Sequence, residues 1–254
     1  MCAVALKVLT WNVNGIRARS AQVLALLADE RPDVVCLQEI KASPEKVPGD
    51  LFVAADYHAH WHGQGGYSGV ALLLRRERFA ETPRFTHPPF DLEHRIVVAE
   101  VGTTVFASVY VPNGGKDFAA KMSFLRELDA WAAELAARER RLVLSGDLNV
   151  ARTDSDVHPV FRAEMIGQLP EERALLESLF ARGLVDVGRS VAPDDDRLFT
   201  WWAPWRNARA RNLGWRLDYV VASRALVGEG TTCVSRRDVG TSDHGPVIAL
   251  LRGP

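Results

Sequence analysis

The sequence predicts a mixed α/β fold in which helices cover layered β-sheets. Apolar runs with strand character alternate with helical patterns along the 254 residues. Two of these runs are joined by the pair Gly102-Thr103, as the strands of an antiparallel hairpin are. Other runs are separated by segments of helix length, as the crossover between parallel strands requires.

The first half of the chain begins with a strand, a helix and a second strand. Residues 4–11 form an apolar run, and residues 16–30 carry apolar side chains at helical spacing. Pro32 ends that helix, and residues 33–39 form the second apolar run. Three further strands are predicted at residues 70–74, 96–101 and 104–111.

The second half contains the longest predicted helix, at residues 118–138, then a strand at 142–145 and a helix at 171–181. Late strands are predicted at residues 217–221, 232–236 and 247–251. Residues 189–214 have no obvious secondary structure, and a loop of that length in a compact domain is usually functional. No linker or repeat divides the sequence, so residues 1–254 are expected to form one domain.

Composition excludes several classes of protein. The 31 basic and 32 acidic residues give a net charge of -1, which excludes a uniformly basic nucleic-acid coat but allows a local basic patch. The three cysteines form no CxxC pair, as is typical of a reducing compartment. No apolar run approaches the roughly 18 residues that span a bilayer, and no signal peptide is recognisable. We therefore expect a cytoplasmic protein without a membrane partner.

Polar side chains follow the predicted strands, at edges where α/β sheets commonly bind ligands. They are Asn12, Asn14, Glu39, Asp147, Asn149, Asp218, Asp243 and His244. The spacing of Asp147 and Asn149 places both on one face of an extended segment. Because His244 directly follows Asp243, their side chains diverge, and a different carboxylate must orient the imidazole. Asp218 is the best candidate for that partner.

This set of oxygen ligands indicates phosphodiester hydrolysis with a hard metal ion. Mg²⁺ is usually held by one or two carboxylates, with substrate phosphate completing its shell, and Mn²⁺ is expected to substitute for it. Glu39 and Asp243 could supply the carboxylates, while Asp147 and Asn149 could position and activate a water molecule. Taken singly these signals are weak, because an aspartate at a strand end is more often a turn former or a helix cap.

Three histidines, His58, His60 and His62, alternate on a possible strand. Metal binding by these side chains is one interpretation, and an exposed surface position is the preferred one. No zinc cluster is expected among the seven histidines and three cysteines, and His158 is considered only as an outer neighbour of the site.

Nine segments carry a resemblance to a known family, in order and over nearly the whole chain. They are residues 9–18, 36–39, 66–70, 109–115, 144–150, 184–186, 199–202, 212–219 and 242–246. Together they resemble the exonuclease III / class II abasic-site (AP) endonuclease family of the endonuclease–exonuclease–phosphatase superfamily. The resemblance implies a four-layered α/β sandwich, in which two mixed β-sheets pack face to face and are flanked by helices.

The resemblance also implies roles for individual residues. By resemblance, Glu39 is the principal metal ligand, and Asp243 and Asn12 lie beside it. The catalytic residues are Asp147 and Asn149 at the attacking water, Asp218 and His244 as a hydrogen-bonded pair, and Tyr110 against the phosphate. Together these groups would neutralise the charge that develops on the reacting phosphorus.

DNA binding is expected on the long loop and beside it. Arg206, Arg209, Arg211 and Arg216 lie in an 11-residue stretch without an acid, and such arginines neutralise DNA phosphates. By resemblance, Trp201, Trp215 and Leu217 form a pocket for the flipped-out abasic sugar, and Trp205 occupies the position of an inserting side chain. Backbone contacts are implied for Arg17, Lys41, Tyr67, Asn113 and Lys116.

Several alternatives remain open at this stage. Trp205 could instead pack under the loop, Trp202 could be a core residue, and Lys116 could be ordinary solvated surface. Two departures from the family pattern affect the DNA contacts. Many members have Trp-Trp-Asp-Tyr-Arg where this chain has Ala203 and Pro204 between its tryptophans, and the turn at residues 156–159 lacks the family's asparagine.

The sequence thus predicts a Mg²⁺-dependent DNA-repair phosphodiesterase that cuts the backbone 5′ to abasic sites, with 3′→5′ exonuclease and 3′-end-cleaning activity. The expected partner is double-stranded DNA containing abasic sites or 3′ ends, bound by a monomer. Alternatives are a non-specific deoxyribonuclease or a phosphatase of the same superfamily, or a catalytically silent DNA-binding relative. The loop of arginines and tryptophans argues against a phosphatase, and the complete set of expected catalytic residues argues against a silent relative.

Overall fold

Two six-stranded sheets and a small hairpin make up the β-structure in the computed structural model, which describes residues 5–195 and 197–253. The first sheet contains β1 (Leu6–Asn12), β2 (Val34–Gln38), β3 (Tyr57–Gln64), β4 (Tyr67–Arg75), β13 (Thr232–Ser235) and β14 (Val247–Leu251). The second contains β5 (Arg84–Thr86), β6 (Ile96–Val101), β7 (Thr104–Tyr110), β8 (Arg141–Asp147), β9 (Leu184–Asp186) and β12 (Asp218–Ser223). The hairpin pairs β10 (Trp201–Trp202) with β11 (Gly214–Trp215).

The helices are α1 (Ile16–Glu30), α2 (Gly49–Ala54), α3 (Phe118–Ala137), α4 (Pro170–Ala181) and α5 (Val187–Val191). Short 3-10 helices occur at Pro44–Lys46, Asp154–Asp156, Pro159–Phe161 and Arg224–Leu226. Within the described residues, no helix is both long and apolar enough to cross a membrane.

Three apolar clusters show that the molecule has four layers. Side chains from the inner faces of both sheets, such as Cys36 and Phe106, form the central core. The outer face of the first sheet packs against α1 and α2, with Trp11 buried between them. The outer face of the second sheet packs against α3 and α4, through residues such as Leu128 and Leu176. The predicted four-layered sandwich with two mixed sheets is therefore confirmed.

Strand order and register bring the polar strand ends to one end of the sandwich. The first sheet runs β13-β14-β1-β2-β4-β3 and the second β5-β6-β7-β8-β12-β9. Since β1 and β2 are parallel, as are β7 and β8, their carboxyl ends coincide. In the second sheet Asp147 is the register partner of both Tyr110 and Asp218. A side chain at Gly146 is excluded, because its Cβ would lie 1.8 Å from the Val109 carbonyl oxygen.

Most predicted elements are present with small shifts of their ends. The helix at residues 16–30 and the strands at 96–101 and 247–251 have the predicted bounds. The predicted strand at residues 4–11 is observed as β1, and residue 4 lies outside the described residues. Five elements had no predicted counterpart: α2, β5, β9, α5 and the hairpin of β10 and β11. The prediction of one domain over residues 1–254 stays a prediction.

The prediction that residues 189–214 lack secondary structure is partly wrong. Residues 189–191 belong to α5, and β10 pairs with β11 near the end of the segment. Arg206, Arg209 and Arg211 therefore lie in the loop of a hairpin. Two residues per strand are too few to produce a visible alternation of polar and apolar side chains.

Candidate active site

His244 lies buried between two aspartates at the shared end of the sheets. Its Nδ1 is 2.8 Å from Asp218 Oδ2, and its Nε2 is 3.8 Å from Asp147 Oδ2. The pairing of His244 with Asp218 predicted from the sequence is thus present. Burial disfavours the charged imidazole, but Asp218 and Asp147 outweigh it and raise the pKa of His244 to about 10. The ring is therefore a hydrogen-bond donor at neutral pH.

Asp147 ends β8 and is itself fully buried. Asn12 Nδ2 donates to its Oδ2 over 3.0 Å, and the Asn149 amide donates to its Oδ1 over 3.0 Å. Burial raises the pKa of Asp147 to about 7, although the His244 charge and these hydrogen bonds oppose the rise. A carboxylate with a pKa near neutrality suits a general base.

The expectation of an extended segment from Asp147 to Asn149 is wrong. The strand ends at Asp147, and Asn149 has a φ of 51°, a left-handed conformation that asparagine tolerates. The turn points the Asn149 amide hydrogen at the Asp147 carboxylate, while Asn149 Nδ2 donates to the Val111 carbonyl over 2.9 Å. The turn still keeps the two residues close together. The Asn149 side chain contacts the backbone of Val111, the residue after β7.

Glu39 follows β2 and faces the same space. Lys41 Nζ lies 2.8 Å from its Oε2, and the Tyr110 hydroxyl donates a short hydrogen bond to its Oε1. Burial would raise the pKa of Glu39, but the contacts with Lys41 and Tyr110 lower it overall. Burial, followed by the nearby charges of Glu39 and Asp147, raises the pKa of Tyr110 well above its usual value. Glu39 is thus ionised and Tyr110 neutral.

Asp243 completes the set of carboxylates. Asn14 Nδ2 donates to its Oδ1 over 2.9 Å, and the indole of Trp201 donates to its Oδ2 over 3.0 Å. Asn14 Oδ1 in turn accepts from Lys41 Nζ over 2.7 Å, so that Asn14 connects Asp243 to the lysine beside Glu39. Sequence reasoning assigned no role to Asn14, although its place in the motif at residues 9–18 was a signal.

The charges of the site fit a divalent cation. Four carboxylates, those of Glu39, Asp147, Asp218 and Asp243, are balanced by two cations, Lys41 and His244. Asp218 Oδ1 is buried and has no hydrogen-bond partner in the described part of the chain. Between one and two negative charges remain at neutral pH, because the pKa of Asp147 is about 7. The ligands beside them are oxygens, which hard cations prefer.

Two groups of residues could hold such an ion. The ligand atoms of Asp147, Asp218 and His244 lie within 4.8 Å of one another. In that group, however, both ring nitrogens of His244 face carboxylates. Glu39 and Asp243 offer oxygens without an imidazole between them, and they fit a hard cation better.

The expected DNA contacts occupy different kinds of position. Arg17, Asn113 and Lys116 are exposed. Tyr67 is 52% exposed, and the Lys116 ammonium lies 5.6 Å from the centre of its ring. Lys41, by contrast, is paired with Glu39. Its ammonium therefore belongs to the carboxylate site as much as to any DNA surface.

An apolar pocket of about 340 Å³ adjoins the carboxylates. Trp201 and Trp215 line it, edge to face with ring centres 6.0 Å apart, and Trp205 lies at its margin. Leu217 packs in the same buried cluster as Trp215 but does not line the pocket. Trp205 is 59% exposed, so the alternative in which it packs under the loop is wrong. Trp202 is buried, as a core residue would be.

The arginine-rich stretch is largely used within the protein itself. Arg209 donates to the carbonyls of Arg237, Val239 and Ser242 over 2.7, 2.6 and 2.5 Å, which fixes the hairpin loop. Arg216 is 3% exposed and pairs with aspartates, so its predicted contribution to phosphate binding is wrong. Arg206 and Arg211 are exposed and remain accessible.

The histidines of β3 are not the exposed surface residues expected from the sequence. His58 is buried, with Nε2 3.0 Å from the Phe79 carbonyl oxygen. His60 and His62 are partly buried beside His87, a neighbour that sequence reasoning did not consider. His158 contacts Phe199 through its ring.

Arg95 is a further residue that the sequence reasoning missed. It is buried, and its guanidinium lies 4.6 Å from the ring centre of Tyr110 and 3.1 Å from the Tyr67 hydroxyl. Arg95 thus contacts and helps to position two predicted site residues, Tyr67 and Tyr110. Arg95 comes directly before an apolar strand, and the sequence pattern there gave no indication that its side chain is buried beside the site.

Comparisons with known proteins agree with this geometry. A model of the Endonuclease/Exonuclease/phosphatase family matches residues 9–244. The chain is 35% identical to DNA repair nuclease APEX1 of Danio rerio over 98% of its length and 83% of the relative's. It is 33% identical to an exodeoxyribonuclease of Bacillus subtilis, covering 97% of this chain and 99% of that one.

Among solved structures, the 3′ phosphatase NExo of Neisseria bound to a product DNA hairpin superposes with a TM-score of 0.86. It is 31% identical, and the match covers 96% of this chain and 98% of that one. The resemblance predicted from the motifs is confirmed, and so is the prediction of a nuclease. The chain belongs to the endonuclease/exonuclease/phosphatase family, as a divalent-metal-dependent hydrolase related to exodeoxyribonuclease III.

Proposed function

We propose that the protein is a Mg²⁺-dependent DNA-repair phosphodiesterase that cuts the backbone on the 5′ side of an abasic site. The observation that carries the proposal is the position of Trp201. Its ring lines the apolar pocket, while its indole nitrogen donates to Asp243 in the carboxylate site. A sugar held against Trp201 would therefore present its neighbouring phosphate to the carboxylates.

The pocket favours a nucleotide that has lost its base. Extruding a nucleotide from the duplex costs a few kcal/mol, and least where no base pair is broken. Trp201 and Trp215 offer ring surface to a deoxyribose, and the other side chains that line the pocket are mostly apolar. The DNA repair nuclease and exodeoxyribonuclease among its relatives support the same substrate class.

The metal would be held by Glu39 and Asp243, with Asn12 beside them. When bound, it would polarise the phosphoryl oxygens and neutralise charge in the transition state. Asp147 would accept a proton from the attacking water. Hydrogen bonds from Asn12 and Asn149 hold the Asp147 carboxylate in place. His244, kept protonated by Asp218, would donate to a phosphoryl oxygen.

Tyr110 would assist at the leaving oxygen. Its hydroxyl is neutral and already a donor, to Glu39, so that a small rotation would turn it toward a bound phosphate. The predicted products are a 3′-hydroxyl and a 5′-deoxyribose phosphate. The same residues would remove 3′-phosphates and 3′-terminal nucleotides, an activity supported by the similarity to the Neisseria 3′ phosphatase.

The test is incision of a 5′-labelled duplex that carries one reduced abasic site. Magnesium should give one initial product ending in a 3′-hydroxyl at the lesion, which 3′→5′ exonuclease activity shortens at later times. EDTA should abolish this product, and Mn²⁺ should restore it. The same duplex without a lesion and a duplex with a 3′-phosphate are the matched substrates. Uniform cutting of the undamaged duplex would instead establish a non-specific deoxyribonuclease, and binding without cutting would establish a silent relative.

Two further expectations belong to the proposal. The protein would act as a monomer, since pocket and carboxylates come from one chain. A cytoplasmic location follows from the cysteine content alone and stays a prediction. Sedimentation of the protein with and without an abasic duplex would test the first of these.

A further inference from the structure

A second group of metal-ligating side chains lies on β3 and on the segment after β5. His60 and His62 point to the same face of β3, because they are two residues apart. Ligand atoms of His62, His87 and Asp91 lie within 4.8 Å of one another. His60 Nε2 is 3.2 Å from His87 Nε2. We call these four residues the histidine cluster, and none of them belongs to the site described above.

Backbone contacts already orient two members of the cluster. His87 Nδ1 lies 3.1 Å from the Ile96 carbonyl oxygen, which makes Nδ1 the donor and leaves the lone pair of Nε2 facing His60. Asp91 Oδ1 accepts from the amides of Arg95 and Ile96 over 2.8 and 3.0 Å. Its Oδ2 faces His62 Nε2 at 2.5 Å. Outer contacts of this kind fix imidazole and carboxylate ligands around metal ions.

We propose that the histidine cluster binds a divalent transition-metal ion, with zinc as the first candidate. Tetrahedral zinc with ligands at about 2.0–2.2 Å requires neighbouring ligand atoms roughly 3.3 Å apart. The separation of 3.2 Å between His60 and His87 already matches that edge. The contact between His62 and Asp91 must open by less than 1 Å. The rings of His62 and His87, now stacked at 3.7 Å, must also turn so that their nitrogens converge, and His60 must move toward the other three residues to become the fourth ligand.

The chemistry of the cluster separates it from the carboxylate site. Three imidazoles and one carboxylate suit zinc, nickel or copper, whereas magnesium prefers oxygen ligands only. Both sites would thus be loaded independently in a mixture of metal ions.

The ion would join β3 to the segment at residues 87–91. Without the ion, the side chains of the histidine cluster form contacts between these two parts of the chain. Asp91 is bonded to the Arg95 amide, and the Arg95 guanidinium packs on Tyr67 and Tyr110. A bound ion would therefore stabilise the segment that supports these two tyrosines. Its direct effect is on stability, and the proposal does not depend on the nuclease activity.

The test is a titration of the metal-stripped, full-length protein with Zn²⁺ alone, followed by calorimetry and thermal unfolding. We expect the histidine cluster to fill at micromolar concentration or below, with a rise in Tm. Co²⁺ in its place should give the visible absorption of a four-coordinate ion. His62→Ala should weaken zinc binding at least about 100-fold, since losing an outer contact alone typically costs 10–100-fold.

Control variants separate this site from other possible ones. His158→Ala removes a histidine elsewhere and should leave zinc binding unchanged. Glu39→Gln should leave zinc binding at the histidine cluster unchanged and should weaken only a second zinc ion bound at the carboxylate site. His87→Ala changes an exposed residue and serves as a second cluster variant should His62→Ala fail to fold. The proposal would be overturned if the wild type did not bind zinc, or if His62→Ala and His87→Ala both bound zinc as tightly as the wild type does.

Discussion

The replacement Arg216→Met tests whether this arginine serves the fold rather than DNA binding. Its guanidinium bonds Asp156 over 2.8 and 3.2 Å and Asp186 over 2.8 and 2.7 Å, and all three side chains are buried. Methionine is close to arginine in length and leaves both carboxylates in place. The variant therefore removes the charge and its four hydrogen bonds while largely keeping the packing.

The expected loss can be estimated from this geometry. Removing one partner of a buried ion pair costs about 3–5 kcal/mol, because the remaining charge is left without compensation. For a chain of this size, 1 kcal/mol corresponds to about 2–4 °C in Tm, so Tm should fall by about 6–20 °C. Arg189, which also pairs with Asp156, should keep the loss toward the lower end.

Scanning calorimetry at neutral pH checks the prediction, with Arg211→Met, in the hairpin loop before β11, as the exposed control. DNA binding across a salt series should show the same slope for Arg216→Met as for the wild type. A phosphate contact would instead lower that slope by about one and leave Tm unchanged. That result would refute the assignment of Arg216 to the fold.

The same ion group predicts a pH dependence. Burial would raise the pKa of Asp156 and of Asp186, but the Arg216 guanidinium outweighs it and lowers both. Carboxyls with a lowered pKa contribute stability above their unfolded value of about 3.9, and this is lost as the pH falls through the folded value. The gap in Tm between wild type and Arg216→Met should thus narrow below about pH 4. A constant gap down to acid pH would contradict the linkage.

Three further predictions concern the carboxylate site and the pocket. Glu39→Gln should remove most activity at low Mg²⁺ because it deletes a carboxylate ligand, and wild-type rates across a Mg²⁺ titration would contradict this assignment. Asp147→Asn should lower kcat on the order of 10²-fold or more, with binding of an abasic duplex retained; a kcat near that of the wild type would mean that another group activates the water. Trp205→Ala should raise KM for an abasic duplex more than for a single-stranded abasic substrate, because an inserting ring offsets unstacking of about a few kcal/mol per step. Its Tm should not change, since Trp205 is exposed, and equal losses on both substrates would exclude insertion.

Local patterns in the sequence were sufficient for the long elements. The helix at residues 16–30 has an apolar face and a proline after it, so its bounds could be predicted. β3 was predicted only as a possible strand, because its alternation of apolar residues with His58, His60 and His62 is short. Its pairing with β4 is a tertiary contact, and propensity gives no information about such a contact.

The candidate site could be predicted as a set of residues but not as a network. Strand ends identified the carboxylates, and the adjacency of Asp243 and His244 identified Asp218 as a partner. The link from Lys41 through Asn14 to Asp243 depends on left-handed turns after β1 and β2, at φ values of 46° and 49°. Arg216 was misassigned because a count of charges along the sequence cannot show which of them is buried.

The pairing of β1 with β14 has a consequence for biosynthesis. β1 supplies Asn12, whereas His244 lies three residues before the start of β14 at Val247. A nascent chain that still lacks residues 243–251 can form neither this pairing nor the imidazole between Asp147 and Asp218. If Asp243 and His244 act as proposed, we expect an unfinished polypeptide to be inactive until the last described strand has been synthesised and has paired with β1.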